Sequence, residues 1–282
     1  MRAEPITEPI TAFGESPVWD DAWGGLRWVD MFRGDILSLA ADGAVRRHHV
    51  DSHVSTLRPR QGGGTVVACG RRLMLLDATE GTQFSETLPG NEAMLLNDGA
   101  CDPEGRFYCG SWVSGRREAG HLYRLDPDRS VHVVLEKITS SNGLDWSPDG
   151  SRAYYVDTGT QRVDVFDYDA EGGLQNRRPF VTIDPGPDRI APDGLCVDAE
   201  GGVWVALIRG GRVQRHTPRG DLDEIVEVAT PHVTACTFGG PRLDQLFITT
   251  YRPAGADDPG PAGAVFQAPA GVAGQPVRPF AG

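Results

Sequence analysis

The chain has 282 residues, of which 36 are Gly and 21 are Pro, and 39% of all residues are hydrophobic. A chain of this length buries a core large enough to fold without disulfides or a structural zinc. Its 27 Lys and Arg residues against 39 Asp and Glu leave a net charge of −12, which argues against nucleic acid and anionic membrane surfaces as partners.

We expect no targeting signal in the amino-terminal segment. Residues 1–10 contain two Glu, two Pro and no apolar run, so we expect neither a signal peptide nor a membrane span there. The five cysteines are odd in number and lack CxxC spacing, which predicts reduced thiols packed inside strands rather than a disulfide framework or a zinc site. These features together predict a cytoplasmic protein.

A short unit recurs along the chain: a polar residue, an alternating apolar run, a turn rich in Asp, Gly and Pro, and a second alternating run. The spacings between successive copies are about 41, 41, 45, 51 and 41 residues. Four short strands with their turns fill about 40–45 residues of a propeller blade. The sequence therefore predicts an all-β fold, a six-bladed β-propeller that forms a single domain over residues 1–282. The copies begin at Glu15, at Ser55 or Thr56, and at Asn97, Asn142, Asp193 and Thr234.

The residues that begin the copies are mostly oxygen donors. Equivalent positions of a propeller lie on a ring around its axis, so we expect Glu15, Asn97, Asn142, Asp193 and Thr234 to converge. Hard cations such as Ca²⁺ take six to eight oxygen ligands, whereas Zn²⁺ prefers Cys and His. The set therefore predicts one divalent metal ion, Ca²⁺ first, with Mg²⁺, Mn²⁺, Zn²⁺ or Fe²⁺ as alternatives. Each Asn-Gly or Asp-Gly pair taken singly has another interpretation, an ordinary turn.

Several longer motifs follow in order over almost the whole chain. They are Gly14-Glu15-Ser16-Pro17-Val18-Trp19, Asn97-Asp98-Gly99, Ser141-Asn142-Gly143-Leu144, Pro192-Asp193-Gly194-Leu195 and Phe238-Gly239-Gly240. Taken together they resemble the gluconolactonase, regucalcin (senescence marker protein) and luciferin-regenerating enzyme family. The resemblance implies a six-bladed propeller, a divalent metal held by Glu15, Asn142 and Asp193, and Asn97 beside the metal in contact with substrate.

Typical members of that family hydrolyse sugar-acid lactones, so the resemblance implies a metal-dependent lactonase whose partner is a small-molecule lactone. The metal would act as a Lewis acid, with Asp193 as the candidate general base. In an alternative mechanism Asp193 is only a ligand and the metal activates the water. Two other functions stay open: the same metal propeller acting on a different ester, phosphotriester or biosynthetic intermediate, and a non-catalytic calcium-binding propeller.

The chain departs from regucalcin-like lactonases at two positions where they carry an Arg and an acidic residue that hold substrate hydroxyls. Here the first position is Leu95, and an ungapped count puts the second near Gly115. Loss of both polar groups favours a less hydroxylated substrate. Other polar residues near blade ends have two interpretations: they replace the lost substrate contacts, or they are blade-packing and surface residues. We expect the second for all of them, namely Arg58, Arg60, His53, His232, Tyr251 and Arg252.

Three further expectations concern packing and loops. Trp112 and Trp146 lie on strands and should pack between blades. Asp30 and Asp157 end second strands and should accept hydrogen bonds from neighbouring backbone amides. The segment 252–263, which is rich in Pro, Gly and Asp, should form a surface loop over one mouth of the channel.

Overall fold

The structure, a computed structural model, describes residues 1–40, 42–255 and 260–282. Those residues form six four-stranded antiparallel sheets and three single-turn 3₁₀ helices, Asp21–Trp23, Met31–Arg33 and Thr158–Thr160. Within the described ranges, no helix has the length and apolar character needed to cross a membrane. The predicted six-bladed β-propeller is confirmed.

Each blade takes four strands, and the amino-terminal strand β1 (Glu4–Pro5) belongs to the last blade. Blade 1 is β2 (Gly14–Asp20), β3 (Gly25–Asp30), β4 (Asp35–Leu39) and β5 (Val45–His49). Blade 2 is β6 (Thr56–Pro59), β7 (Thr65–Cys69), β8 (Arg72–Leu76) and β9 (Thr82–Thr87). Blade 3 is β10 (Met94–Cys101), β11 (Phe107–Val113), β12 (Gly120–Leu125) and β13 (Val131–Ile138).

Blade 4 is β14 (Ser141–Trp146), β15 (Arg152–Asp157), β16 (Arg162–Asp169) and β17 (Gly173–Thr182). Blade 5 is β18 (Ala191–Val197), β19 (Val203–Ile208), β20 (Arg212–His216) and β21 (Leu222–Glu227). Blade 6 is β22 (Val233–Gly239), β23 (Gln245–Thr250) and β24 (Phe266–Pro269), with β1 as its outer strand.

The two ends of the chain close the ring. The inner strands β2, β6, β10, β14, β18 and β22 each contact the next, and β22 contacts β2. Strand β1 pairs with β24 through Glu4 opposite Gln267 and Pro5 opposite Phe266. Blade 6 is therefore built from both ends of the chain.

The core consists of apolar layers between neighbouring blades rather than one central cluster. The layer between blades 3 and 4 contains Trp146, which is fully buried and packs edge-on to Tyr108 and Tyr168 at ring-centroid distances of 5.4 and 5.8 Å. The expected core position of Trp146 is therefore confirmed. The five cysteines are free thiols, and all but Cys196 are buried.

Two carboxylates at the ends of second strands hold the chain around the channel. Asp30 accepts hydrogen bonds from the backbone amides of Ala12 and Phe13 at 3.0–3.1 Å. Asp157 accepts from the amides of residues 139, 140 and 159 at 2.9–3.2 Å. Both are buried, and their expected role in binding backbone amides is confirmed.

The carboxyl-terminal segment 274–282 covers one end of the central channel. Gln275 donates to the carbonyls of Trp146 and Val197 at 2.9 and 3.1 Å, and Arg278 contacts Asp145 at 3.3 Å. Every inner strand runs toward this covered end and begins at the opposite, open mouth. The residues that begin the repeats therefore lie at the open mouth. The predicted loop 252–263 is described except for residues 256–259, which lie outside the described residues.

Candidate metal centre and its cavity

A break in strand register turns the first residues of the inner strands toward the axis. In blades 1, 3, 4 and 5 the pairing with the second strand shifts at the residue that begins the repeat: between Glu15 and Val18, Leu96 and Gly99, Ser141 and Leu144, and Pro192 and Leu195. Bulges of this kind bend a strand and re-aim side chains. In blade 2, β6 pairs with β7 without a shift, and in blade 6 the pairing of β22 with β23 shifts between Val233 and Ala235, on either side of Thr234. Of the five blades with a shift, blades 1, 3, 4 and 5 present a polar side chain to the cavity.

These four side chains, Glu15, Asn97, Asn142 and Asp193, line one cavity of about 280 Å³ at the open mouth. The structure therefore brings together four of the five residues that the sequence predicts to converge. Thr234, at the same position of blade 6, is not in the cavity lining, because its hydroxyl donates to the Gly14 carbonyl at 2.6 Å. The remaining lining residues are Phe13, Met31, Phe32, Trp112, Ser140, Thr158, Ile208 and Arg209.

The glycines that follow the polar residues serve close packing rather than turns. Gly143 and Gly194 lie within β14 and β18, and neither has a positive φ. A Cβ atom on Gly143 would lie 2.3 Å from the Leu195 amide nitrogen, and one on Gly194 would lie 2.5 Å from Ala235 Cβ. The turn interpretation of these two pairs is therefore wrong: glycine lets neighbouring inner strands approach one another.

The acidic side chains at the base of the cavity are buried and repel one another. Glu15 is 3% exposed and Asp193 is 4% exposed. Burial, with the negative charges of Asp193 and Asp98, raises the pKa of Glu15 well above its ordinary value. Burial and the charge of Asp98 likewise raise the pKa of Asp193 well above its ordinary value, against a smaller opposing effect of Arg209. A bound cation would remove this repulsion.

The two amide side chains are held so that their oxygen atoms remain available. The Asn97 amide nitrogen donates to the Ser141 carbonyl at 2.6 Å and to Asn142 Oδ1 at 2.9 Å. The Asn142 nitrogen donates to Thr158 Oγ1 at 2.7 Å, and that hydroxyl donates to the Pro192 carbonyl at 2.9 Å. Because both nitrogens are engaged, Asn97 presents its Oδ1 atom, and Asn142 Oδ1 keeps one lone pair.

The chemistry of these donors fits a hard divalent cation. Among the described residues, no three His, Cys, Asp or Glu side chains are grouped so that they could hold a metal ion by themselves. Any cation here would thus take amide oxygens together with the two carboxylates, a mixed oxygen set typical of Ca²⁺ and Mg²⁺. A set without sulfur or imidazole is a poor match for Zn²⁺.

A layer of polar groups supports the carboxylates from the covered side. Arg58 donates to Ser16 Oγ at 3.1 Å and lies 4.0 Å from an Asp98 oxygen, and it lines a second cavity at the covered end. It is therefore no substitute for the missing substrate contacts at the mouth. The other five residues considered for that role, Arg60, His53, His232, Tyr251 and Arg252, are also absent from the mouth lining.

The wall of the cavity comes from residues that the repeat count did not select. Met31 and Phe32 follow β3, Thr158 follows β15, and Arg209 follows β19. Trp112 lies near the end of β11, where it is partly exposed and lines the cavity, so the expectation that it packs between blades is wrong. The signal was present in the sequence: in four blades the end of the second strand contributes to the wall, just as the start of the first strand contributes to the base.

The family model for the SMP-30/Gluconolactonase/LRE-like region matches residues 13–252. The chain belongs to this family. The resemblance seen in the motifs is confirmed, and the molecule is a lactonase-type or regucalcin-like propeller.

Two regucalcins match this chain over its full length. Regucalcin of Gallus gallus is 36% identical to it, over 100% of this chain and 99% of that protein. Regucalcin of Bos taurus is 35% identical, with the same coverage. A solved structure described as a calcium-binding protein, regucalcin, from Agrobacterium tumefaciens has a TM-score of 0.88 and 26% identity, and the match covers 99% of this chain and 97% of that one.

Proposed function

We propose that the protein is a metal-dependent lactonase that opens a small lactone. The observation that carries the proposal is the convergence of two buried, mutually repelling carboxylates and two oriented amide oxygens at the base of an open cavity. Glu15, Asn142 and Asp193 would hold the divalent cation, Ca²⁺ first, and Asn97 would contact substrate beside it. Family membership supports this assignment, as does the description of the Agrobacterium tumefaciens relative as calcium-binding.

A cation at this position would polarise the lactone carbonyl as a Lewis acid. Asp193 is the proposed base: it takes a proton from the attacking water while the water oxygen bonds to the carbonyl carbon. The bond from that carbon to the ring oxygen then breaks, and the proton passes to the ring oxygen, which leaves as the hydroxyl of the open acid. Asn97 positions the substrate, since its nitrogen is fixed by Ser141 and Asn142.

Acid release at constant pH from a panel of γ- and δ-lactones tests the proposal. The protein is first stripped of metal and then given Ca²⁺, Mg²⁺, Mn²⁺, Zn²⁺ or Fe²⁺ in turn. We expect hydrolysis that depends on added metal. Asp193→Asn should lower kcat by about 100-fold or more, the range for loss of a general base, and Glu15→Gln should weaken metal binding.

Asp145→Asn is the matched control, because Asp145 is a carboxylate of the same channel that lines the cavity at its covered end. That variant should keep both turnover and metal binding. Tight Ca²⁺ binding without hydrolysis of any lactone would refute the lactonase and favour the non-catalytic calcium-binding propeller. Loss of turnover in Asp145→Asn equal to that in Asp193→Asn would refute the assignment of the site to the open mouth.

A further inference from the structure

We infer that the lactone carries an alkyl or aryl substituent and few hydroxyl groups, and that Phe32 and Trp112 select for it. The inference rests on the proposed function and names the substrate class of the same site. Its basis is the composition of the cavity wall above the polar base. Five of the twelve lining residues are apolar, and they are Phe13, Met31, Phe32, Trp112 and Ile208.

The aromatic part of the wall is rigidly supported. Phe13 packs edge-on to Phe32 at a ring-centroid distance of 5.3 Å and stacks on Tyr251 at 4.9 Å. The His53 ring also contacts Phe32, at a ring-centroid distance of 5.6 Å. Contacts of this kind restrict both phenylalanine rings, so a ligand meets a preformed apolar surface.

Phe32 presents about half of its side chain to solvent at the cavity. Its side chain is 51% exposed, and among the described residues it is the only aromatic one of the large hydrophobic side chains that are exposed. It lies on the 3₁₀ helix Met31–Arg33 and lines the same cavity as Glu15. An apolar substituent placed against this ring removes its surface from water, which favours binding.

The polar groups of the cavity, in contrast, are largely engaged with one another. Both hydrogens of the Asn97 amide nitrogen have protein acceptors, and the Thr158 hydroxyl accepts from Asn142 and donates to Pro192. Hydroxyls of a polyhydroxylated lactone that meet the apolar wall, the Asn97 nitrogen or the Thr158 hydroxyl would lose water without gaining equivalent partners, a cost that lowers affinity.

The two departures from regucalcin-like lactonases contribute to the same result. Leu95 lies directly opposite Trp112 in the β10–β11 pair, so an apolar pair stands where a cation would be. Gly115 has a positive φ of 70° in an exposed turn after β11 and does not line the cavity. Neither position therefore offers a group to substrate hydroxyls. Arg209, the one cation of the lining, donates through Nε to the Arg189 carbonyl at 2.7 Å.

The test compares kcat/KM for δ-decalactone, 3,4-dihydrocoumarin and δ-gluconolactone on the metal-restored protein. We expect the alkyl and aryl lactones to exceed δ-gluconolactone at least tenfold, the scale on which apolar pockets discriminate. Phe32→Ser should lower the ratio of kcat/KM for the alkyl and aryl lactones to kcat/KM for δ-gluconolactone by about tenfold. Leu222→Ser is the matched control, because Leu222 is 52% exposed on the outer strand β21 and should leave the ratio unaltered.

The outcomes separate the two proposals. A preference for δ-gluconolactone overturns the inference about substrate class and leaves the lactonase intact. If Phe32→Ser and Leu222→Ser show the same ratio of kcat/KM values, the role of Phe32 is overturned. If Trp112→Ser and Leu222→Ser show the same ratio, the role of Trp112 is overturned. If no lactone is hydrolysed with any metal, the proposed function fails and the inference fails with it.

Discussion

Gly143→Ala is the perturbation whose effect follows most directly from the structure. The added Cβ would lie 2.3 Å from the Leu195 nitrogen and 2.8 Å from the Gly194 carbonyl carbon. Both are backbone atoms, which cannot rotate away as a side chain could. Strands β14 and β18 would have to separate by about 1 Å before the contact reached an ordinary van der Waals distance.

The expected cost is about 3 kcal/mol, the upper part of the range for overpacking, because backbone must move. For a chain of this size that corresponds to a fall in Tm of roughly 6–12 °C. The same separation moves Asn142 away from Asp193, since each precedes the affected contact on its own strand. Ca²⁺ ligands lie within a narrow range of roughly 2.3–2.6 Å, so Ca²⁺ affinity should fall at least tenfold.

Thermal unfolding followed by circular dichroism, in EDTA and in CaCl₂, measures the first effect, and calorimetric titration with Ca²⁺ measures the second. Gly62→Ala is the matched control, because a Cβ there has no atom within 4 Å and Gly62 has no positive φ. If Gly143→Ala unfolds within about 1 °C of Gly62→Ala and binds Ca²⁺ equally well, the close approach of β14 and β18 is not what holds the site together.

Three further predictions concern charge and capping. In EDTA at pH 7, Glu15→Gln should unfold at a higher temperature than the parent, because burial and the charges of Asp193 and Asp98 disfavour the ionised Glu15 carboxylate. CaCl₂ should raise the Tm of the parent alone. A lower Tm of Glu15→Gln in EDTA would contradict this unfavourable environment. Burial lowers the pKa of His53 to about 4. Since the unfolded chain binds that proton from about pH 6.5 downward, on the order of 3 kcal/mol of stability should be lost between pH 6.5 and 4, and urea titrations of His53→Gln should show a smaller loss. Asp157→Ala leaves three backbone amides without their acceptor. The free energy of unfolding, measured in urea, should fall by about 3 kcal/mol or more. A fall below about 1 kcal/mol would mean that water replaces the carboxylate.

The repeat predicted the base of the cavity well because blades are equivalent by rotation. Glu15, Asn97, Asn142 and Asp193 occupy one position of the unit, and one position of the unit is one place around the axis. Thr234 occupies that position too, yet its short side chain bonds the backbone of blade 1 instead. The repeat determined which height in the channel a residue reaches, and the local contacts of each blade decided whether it faces the cavity.

The wall of the cavity was harder to predict, because its residues belong to the ends of second strands and to the 3₁₀ turns that follow two of them, where the alternating pattern stops. Trp112 illustrates the limit: an aromatic residue on a strand usually packs between blades, as Trp146 does. Here Trp112 lines the cavity, while the next residue, Val113, is buried in the layer between blades 2 and 3. The spacing of the repeat alone does not show which strand residues pack between blades and which line the cavity.

By itself the sequence determined the number of blades, the all-β class and the set of oxygen donors, since these follow from a spacing repeated along the chain and from the chemistry of the side chains. Only the tertiary structure decided that glycine is needed between Asn142 and Leu144 for strand approach, that segment 274–282 closes one end of the channel, and that an aromatic surface faces the other. These features depend on distances between segments remote in sequence, which become defined when six blades close into a ring.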